Sequence, residues 1–330
     1  MTLFLMTSCS LTSYPVDHEQ LSEEERIVIR FSHVVGENTP KGLASRKFAE
    51  EIYEKTDGFM EVQVFANSNL YKDGEEIEAL MSGSVQIIAP ATAKMTSIVP
   101  ELQVLDLPYA FQDVNEVQQY IDSPAGKVLQ RKLEDEGLYL LAFWPNGFKQ
   151  MTNSKNILKV NSDFEDLNFR VMAKGVLSSQ YEILGASAQA ETFDRVYSEL
   201  EAENVNAQEN TFSNIVNKNI YELQEYLTVS DHGFLGYFIL INGVFWNGLT
   251  DEMKMVILET MEEVSEWETE IAEKSNEESY EKLEECNCIE IYELSDEEKS
   301  QLEKRFSPIY DDFSQKFGAH YIDYLPKNKK

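Results

Sequence analysis

The sequence predicts an α/β protein built from two successive α/β units and one long helix. Residues 27–89 alternate between short apolar strands and amphipathic helices in the order β-α-β-α-β, which is typical of a parallel sheet. A comparable pattern restarts between Gln150 and Met172. From Thr250 to about Cys286 the chain has neither glycine nor proline, and its apolar residues recur at helical spacing. At about 1.5 Å per residue, such a helix is long enough to lie across both units.

Composition limits the partners of this chain. Its 330 residues are 42% hydrophobic and 11% aromatic, which is enough apolar material for a substantial core. Lys and Arg number 28 against 59 Asp and Glu, so the formal net charge is -31. A surface this acidic repels nucleic acids and anionic lipids, and we expect neither as a partner.

The amino end is predicted to be a processing segment. A short apolar run ends at Cys9 and resembles the end of a bacterial lipoprotein signal, although the basic leader that normally precedes such a run is missing. We expect residues 1–26 to be a truncated signal followed by a disordered tether. Cys9 would then carry a lipid that holds the protein outside the cytoplasm, in the periplasm or at the cell surface. A disordered tail with a free thiol stays open as the alternative.

Periodicity and turn residues predict the individual elements. In the first unit we expect strands at 27–34, 60–65 and 85–89, and helices at 41–56, 75–82, 114–121 and 124–136. The apolar run from Leu138 to Trp144 predicts a strand that ends at Pro145-Asn146-Gly147. In the second unit we expect helices at 176–184 and 194–203 and strands near Arg170 and at 188–192, 226–230 and 235–242. After the long helix, a capping box begins a helix at Ser295, and a last helix covers 306–317.

No enzyme signature is present in the sequence. It lacks the glycine-rich phosphate loops, the H-E-x-x-H zinc motif and the G-x-S-x-G nucleophile motif. Ser230-Asp231-His232 contains triad residue types, but neighbouring side chains on an extended chain point to opposite faces and cannot form a relay. The four histidines are scattered, so we expect no metal or cofactor. Cys286 and Cys288 would share one face of a strand, badly placed to bridge each other, and we interpret them as packing residues.

Basic and amide side chains gather at strand ends. Arg170 lies at the carboxyl end of a short strand, where open α/β sheets hold their ligands. Lys149 follows the join between the two units, and Asn210 ends a strand that precedes a helix. An arginine, a lysine and an amide together can grip a carboxylate on one wall of a cleft between the units.

Short motifs follow one another along both units, and they include Asn38-Thr39-Pro40-Lys41-Gly42, Asp106-Leu107-Pro108-Tyr109, Trp144-Pro145-Asn146-Gly147-Phe148-Lys149-Gln150-Met151, Phe169-Arg170-Val171, Phe193-Asp194-Arg195-Val196-Tyr197 and Gln208-Glu209-Asn210. In this order they resemble the extracytoplasmic solute-binding proteins of tripartite ATP-independent periplasmic (TRAP) transporters. The resemblance runs from about Ile27 to Phe317 and is nearest to the branch that binds C4-dicarboxylates.

The resemblance implies a periplasmic-binding-protein-like fold, in which two α/β domains are hinged about a ligand cleft. We expect domain I to comprise residues 27–147 and about 236–275. Domain II would comprise residues 148–235 and about 276–330. One long helix at about 250–285 would span both domains.

The resemblance also implies the ligand-binding residues. Arg170 matches the family's carboxylate-gripping arginine, and Lys149 matches its second basic residue. Asn210 matches the asparagine of the Gln-Glu-Asn motif, and Phe193 matches an aromatic residue beside the ligand. From the first domain, His33 and Lys94 are further candidates for the distal carboxylate of the ligand.

The implied function is capture without chemistry. A dicarboxylate such as malate, succinate or fumarate would enter the cleft, and the closed protein, acting as a monomer, would deliver it to TRAP membrane permease subunits. A keto acid, monocarboxylate or sugar acid stays open as the ligand, because Ala207 and Thr211 replace residues that often flank the family's Gln-Glu-Asn motif. A secreted enzyme is the rival from another class.

Overall fold

A computed structural model describes residues 26–326 of the chain. Cys9 lies outside the described residues, as does all of the predicted signal and tether except Arg26. The predictions for that segment therefore stay predictions.

A parallel three-stranded arrangement forms the centre of what we call the first lobe. Its elements are β1 (Ile27–Ser32), α1 (Pro40–Lys55), β2 (Met60–Phe65), α2 (Glu75–Met81) and β3 (Ile87–Ile88). β1 pairs in parallel with β2 and with β3, as the sequence predicts. β3 is shorter than predicted because the backbone N–H of Val85 donates to Ala79 O in the turn that follows α2.

The connection that follows β3 is helical and belongs to the same lobe. It contains two short 3₁₀ helices (Thr92–Ser97 and Pro100–Asp106), α3 (Val114–Asp122) and α4 (Pro124–Asp135). Asp113 caps α3 by accepting from Glu116 N, and Ser123 caps α4 by accepting from Gly126 N. Both α-helices lie close to their predicted positions.

Two long antiparallel strands, β4 (Leu138–Asn153) and β8 (Tyr226–Asn242), join the lobes. The sequence predicts that β4 ends at Pro145, and this is wrong. The strand continues because the register shifts between Pro145 and Gly147, so the proline falls at an irregularity of the ladder. The two strands predicted between 226 and 242 are likewise one strand.

The second lobe is a second α/β unit, as predicted. Its elements are β5 (Asn168–Val171), α5 (Val176–Leu184), β6 (Ser187–Ala190), α6 (Val196–Glu201), β7 (Ala207–Asn210) and α7 (Phe212–Asn217). β5 lies between β6 and β7 and is parallel to both. Within residues 26–326 one mixed sheet runs in the order β2-β1-β3-β8-β4-β7-β5-β6, and β9 (Glu290–Glu293) pairs with β8.

One helix of 36 residues, α9 (Asp251–Cys286), follows the short helix α8 (Gly243–Gly248) and confirms the predicted long helix. It packs against α1 of the first lobe, against β4 and against α7 of the second lobe. Trp144 Nε1 donates to Ser265 Oγ at 2.8 Å, and Asn276 Nδ2 donates to Asn146 O at 2.6 Å. The helix is therefore fastened to β4 where that strand passes between the lobes. The chain ends with α10 (Asp296–Arg305) and α11 (Ser307–Phe317).

Cys286 and Cys288 form a disulfide, so the prediction that they are unbridged packing residues is wrong. The prediction placed both on one strand. Instead α9 extends through Cys286, and Asn287 adopts a left-handed backbone with φ of 48°, which brings the two Cα atoms to 5.2 Å. Both cysteines are exposed.

Candidate ligand site between the lobes

Arg170 lies on β5 and is completely buried. Its Nε and Nη2 atoms donate to Glu191 O at 3.0 and 2.7 Å, which fixes the plane of the guanidinium. Nη1 is buried and has no hydrogen-bond partner among the described residues. Burial lowers the pKa of Arg170, and the nearby carboxylates, Asp73 foremost, oppose that shift. An arginine held by one edge in this way keeps the other edge available for an anion.

A small cavity of about 20 Å³ lies where the two lobes meet. The first lobe contributes Val34, Val35, Lys41, Asp73, Ala91 and Lys94 to its lining, and the second contributes Met172, Phe193, Asn210 and Asn214. Such a volume holds about one water molecule, so the lobes are closed on it and must move apart to admit and hold anything larger. Met172 is two residues beyond Arg170 on the chain, which places the cavity beside the end of β5.

Asp73 connects the lobes across this cavity. Its Oδ2 atom lies 3.1 Å from Lys94 Nζ and accepts a hydrogen bond of 2.8 Å from the backbone N–H of Phe193. Asp73 and Phe193 are both buried, and they lie on opposite lobes. The second bond therefore forms only when the lobes are shut.

Lys41 is a second cation of the first lobe that reaches the cavity. Its Nζ atom donates to Ala89 O at 2.7 Å and lies 3.6 Å from the ring centroid of Tyr237. Burial lowers the pKa of Lys41 to about 8, although Glu76, Asp73 and a further carboxylate oppose the shift. At neutral pH Lys41 is therefore mostly protonated, in an apolar and aromatic setting that strengthens its field.

Lys149 is buried in a polar network behind the cavity. Its Nζ atom donates to Glu209 Oε1 at 2.8 Å, and the other carboxylate oxygen of Glu209 accepts from Tyr181 Oη at 2.9 Å. His232 Nε2 lies 2.9 Å from that same oxygen. Burial alone would raise the pKa of Glu209, but Lys149 and His232 outweigh it and lower the pKa to about 2. Lys149 thus has a carboxylate partner within the protein.

The serine and histidine of the Ser230-Asp231-His232 segment do meet, because alternate residues of β8 share a face. Ser230 Oγ lies 2.8 Å from His232 Nδ1, whereas Asp231 points away and pairs with Lys299 at 2.7 Å. The three adjacent residues form no relay, as predicted. Ser230 and His232 are both 0% exposed, and they serve the buried network around Glu209.

The structure divides the predicted site residues into two groups. Phe193, Asn210 and Lys94 line the cavity between the lobes. Arg170, Lys149 and His33 are buried behind it, and of these three only Lys149 forms a side-chain ion pair within the described residues.

His33 is 0% exposed, and neither ring nitrogen has a hydrogen-bond partner among the described residues. Burial, aided by the charge of Lys41, lowers its pKa to about 3, so this imidazole is neutral at physiological pH.

Sequence reasoning missed Lys41, Asp73 and Asn214 as residues of this cavity. Lys41 was visible in the Asn38-Thr39-Pro40-Lys41-Gly42 motif, where its position at the start of α1 signals proximity to a strand end. Asp73 carried no comparable signal, because it lies in an irregular turn before α2. Asn214 is buried on α7, and its side chain donates to Asn210 Oδ1 at 2.8 Å.

No group of three or more His, Cys, Asp or Glu side chains in the described part of the chain is arranged to hold a metal ion. None of the helices described between residues 26 and 326 is long and apolar enough to cross a bilayer.

This architecture is that of the bilobal solute-binding proteins. Paired strands join the two lobes, one helix packs against both, and the lobes close on a cavity lined by cationic and amide side chains. More narrowly, the chain belongs to the family described as bacterial extracellular solute-binding protein, family 7, whose model matches residues 31–316. This is a family of solute-binding proteins and not of enzymes.

Characterised relatives cover nearly the whole chain. The C4-dicarboxylate-binding protein DctB of Bacillus subtilis is 42% identical over 314 residues, which are 95% of this chain and 90% of DctB. A TRAP periplasmic solute-binding protein from Shewanella oneidensis, solved with bound succinate, is 33% identical with a TM-score of 0.89, over 92% of this chain and all 100% of that one.

A sugar acid-binding protein from Advenella mimigardefordensis, solved with galactonate, is 31% identical with a TM-score of 0.87, over 92% of this chain and 99% of its own. These structures confirm the two-domain fold, whereas the predicted domain boundaries stay a prediction.

Proposed function

We propose that this protein captures a C4-dicarboxylate, such as succinate, malate or fumarate, between its lobes and releases it to a membrane permease of the TRAP type. The observation that carries this proposal is the buried guanidinium of Arg170 behind the cavity, held by Glu191 O and with Nη1 lacking a hydrogen-bond partner among the described residues. The similarity to DctB and to the succinate-bound structure supports the choice of ligand.

The first carboxylate of the ligand would be held by Arg170. With one edge of the guanidinium bound to Glu191 O, the edge formed by Nη1 and the second N–H of Nη2 can donate parallel hydrogen bonds to both oxygens of a carboxylate. Asn210, whose side chain is buried at the cavity, would contribute an amide from β7. Phe193 would cover the apolar carbons of the ligand from the same lobe.

The second carboxylate would be held by the first lobe. Lys41 and Lys94 both line the cavity, and Asp73 is the acidic residue that lines it with them. Lys41 and Lys94 in the cavity lining and the buried Arg170 behind it supply three positive charges against the one negative charge of Asp73 in the lining, and the surplus of two matches a dianion. Because the cations come from both lobes, binding a dianion draws the lobes together.

Membership of the family supports a proposal for delivery and location. Closed binding proteins of this kind would dock on TRAP permease subunits, and we propose that this one acts as a monomer anchored outside the cytoplasm through a lipid on Cys9. Lys149 and His33 would act indirectly in this scheme, Lys149 by balancing Glu209 and His33 as a neutral neighbour of Lys41.

A sugar acid is the second candidate ligand, favoured by the similarity to the galactonate-binding protein. Both ligand classes carry a carboxylate for Arg170, but a monoanionic sugar acid leaves the charge of Lys41 or Lys94 unmatched. The surplus of positive charge on Arg170, Lys41 and Lys94 over Asp73 therefore favours the dicarboxylate.

Titration calorimetry tests the proposal directly. We expect wild-type protein to bind succinate and to bind galactonate more weakly. Arg170→Ala should weaken succinate binding by about two to three and a half decades, because it removes one partner of a buried charge pair worth about 3–5 kcal/mol. Arg170→Lys should recover only part of this loss, since a point charge cannot bind two oxygens.

Arg131→Ala, on the exposed surface of α4, is the matched control and should bind as wild type does. Unchanged succinate affinity in Arg170→Ala, or tighter binding of galactonate than of succinate by wild type, would contradict the proposal.

A further inference from the structure

A larger cavity, of about 720 Å³, opens outside the small one. Lys94 lines both cavities, so the two adjoin. The outer cavity is bordered by α2 and the following 3₁₀ helix of the first lobe, and by the Ala173-Lys174-Gly175 turn of the second lobe. We call it the cleft mouth. Because it lies between the lobes and adjoins the inner cavity, it offers a ligand a route from solvent toward Lys94.

The charge of the cleft mouth is opposite to that of the protein. Lys94, Lys174 and Lys316 line it, and Glu78 is the one acidic residue among the described residues that does so. The whole chain, by contrast, carries 59 acidic against 28 basic residues. With three lysines and one glutamate, the lining of this cavity is therefore net positive, whereas the chain as a whole is net negative.

Two of these lysines are held at the cleft mouth but have no carboxylate partner. Lys174 lies in the turn between β5 and α5, and Lys316 lies in the last turn of α11. Both are exposed, and neither makes an ion pair within residues 26–326. Some other exposed lysines do have such a partner, as Lys127 has in Asp122 at 3.5 Å. The charges at the mouth are therefore available to a mobile anion.

We propose that the cleft mouth is an outer encounter site for the dianionic ligand, where Lys174 and Lys316 collect it before the lobes close. This inference rests on the proposed function. A net charge of -31 repels a dianion at long range, which slows association unless a positive region lies on its path. Clefts lined by one sign of charge raise the local concentration of the opposite ion and speed its association. The ligand then moves inward past Lys94 to Arg170.

Stopped-flow measurement of tryptophan fluorescence on mixing with succinate tests this. Trp144 is one of the fluorophores, since it is buried in the strand β4 that joins the lobes. The variant is Lys174→Gln with Lys316→Gln, and neither residue belongs to the inner cavity. At low ionic strength we expect the association rate constant to fall about tenfold, because each lysine attracts a dianion across about 10 Å of water. The dissociation rate constant should stay unchanged. In about 1 M salt the two proteins should associate at the same rate, since screening then acts within about 3 Å.

The matched control is Lys282→Gln with Lys304→Gln, which removes the same charge from exposed positions outside the cleft mouth. It should associate as wild type does. Equal association rates for wild type and the mouth variant at low ionic strength would overturn the inference, and so would an equal loss in the control. Failure of wild type to bind succinate at all would instead overturn the proposed function, so the two failures are distinguishable.

Discussion

Gln103 of the first lobe accepts a hydrogen bond of 3.0 Å at Oε1 from the backbone N–H of Val176, the first residue of α5 in the second lobe. The acceptor is oriented by its own amide, since Gln103 Nε2 donates to Pro100 O at 3.1 Å. The N–H groups of a helix's first turn have no partner within the helix, so a side chain from the opposite lobe supplies one. Two further side-chain hydrogen bonds also join the closed lobes, from Phe193 N–H to Asp73 and from Gln180 Nε2 to Asp106 O at 3.3 Å.

Gln103→Ala is expected to speed release of the ligand. It removes one neutral hydrogen bond of the closed form, worth about 0.5–1.5 kcal/mol, and should raise the dissociation rate constant for succinate about two- to twelvefold. The association rate constant should change little, because the bond forms only on closure. Gln103→Glu keeps an acceptor at the start of a helix and should release at close to the wild-type rate. Displacement experiments measure both rates, and equal release by Gln103→Ala and wild type would rule out this role.

Lys149→Ala is expected to destabilise the fold more than it disturbs the ligand. The substitution leaves Glu209 buried without its lysine, at a cost of about 3–5 kcal/mol. Urea unfolding should show this loss. The double variant Lys149→Met with Glu209→Gln removes both charges together and should recover much of the stability. If Lys149→Ala unfolds as wild type does but loses succinate affinity, Lys149 contacts the ligand directly, as the family resemblance implied.

The free energy of unfolding is expected to depend on pH because Glu76 titrates at different pH values in the folded and unfolded states. This side chain is 0% exposed, neither carboxylate oxygen has a partner among the described residues, and burial raises its pKa from 4.5 to about 8 against the opposing charge of Lys41. Between pH 4.5 and pH 8 the folded protein holds a proton on Glu76 that the unfolded chain has lost. Raising the pH through this window therefore favours unfolding.

The comparison of Glu76→Gln with wild type isolates this effect. Wild type should lose stability relative to the variant by up to about 1.4 kcal/mol per pH unit between pH 5 and pH 8. Denaturant unfolding at several pH values measures the difference. Glu78→Gln, exposed on the same helix, should parallel wild type throughout. Parallel curves for wild type and Glu76→Gln would show that Glu76 titrates normally.

Replacing Gly147, which lies where β4 passes between the lobes, by a residue with a side chain is expected to destabilise the protein. The φ of Gly147 is +152°, and an added Cβ would come within 2.9 Å of Asn276 Nδ2, the atom that fastens α9 to Asn146 O. Gly147→Ala should therefore cost about 1–3 kcal/mol of stability through backbone strain. Gly248→Ala, where an added Cβ meets nothing within 4 Å, should cost almost none. Thermal melts of both variants check this, and equal melting temperatures would contradict it.

Local patterns were sufficient for most of the fold. Thr250 caps α9 and Ser295 begins α10 with the predicted capping box, because caps and periodicity are read from neighbouring residues. The errors occurred where a distant contact overrides a local rule. Pro145 ends a strand in isolation, yet here the pairing of β4 with β8 carries the strand past it. Asn287, in a left-handed conformation, brings Cys286 and Cys288 together in a geometry that a uniform strand would not allow.

The sequence by itself determined the α/β class, the long helix, the position of Arg170 in a strand and the family to which the chain belongs, since each depends on residues close together in the chain. Only the tertiary structure decided which charges meet. Lys149 pairs with Glu209 sixty residues away, and Asp73 crosses the cleft to the backbone of Phe193. The energy of a buried charge depends on distances of a few ångströms between separate elements, and these arise only when the elements pack.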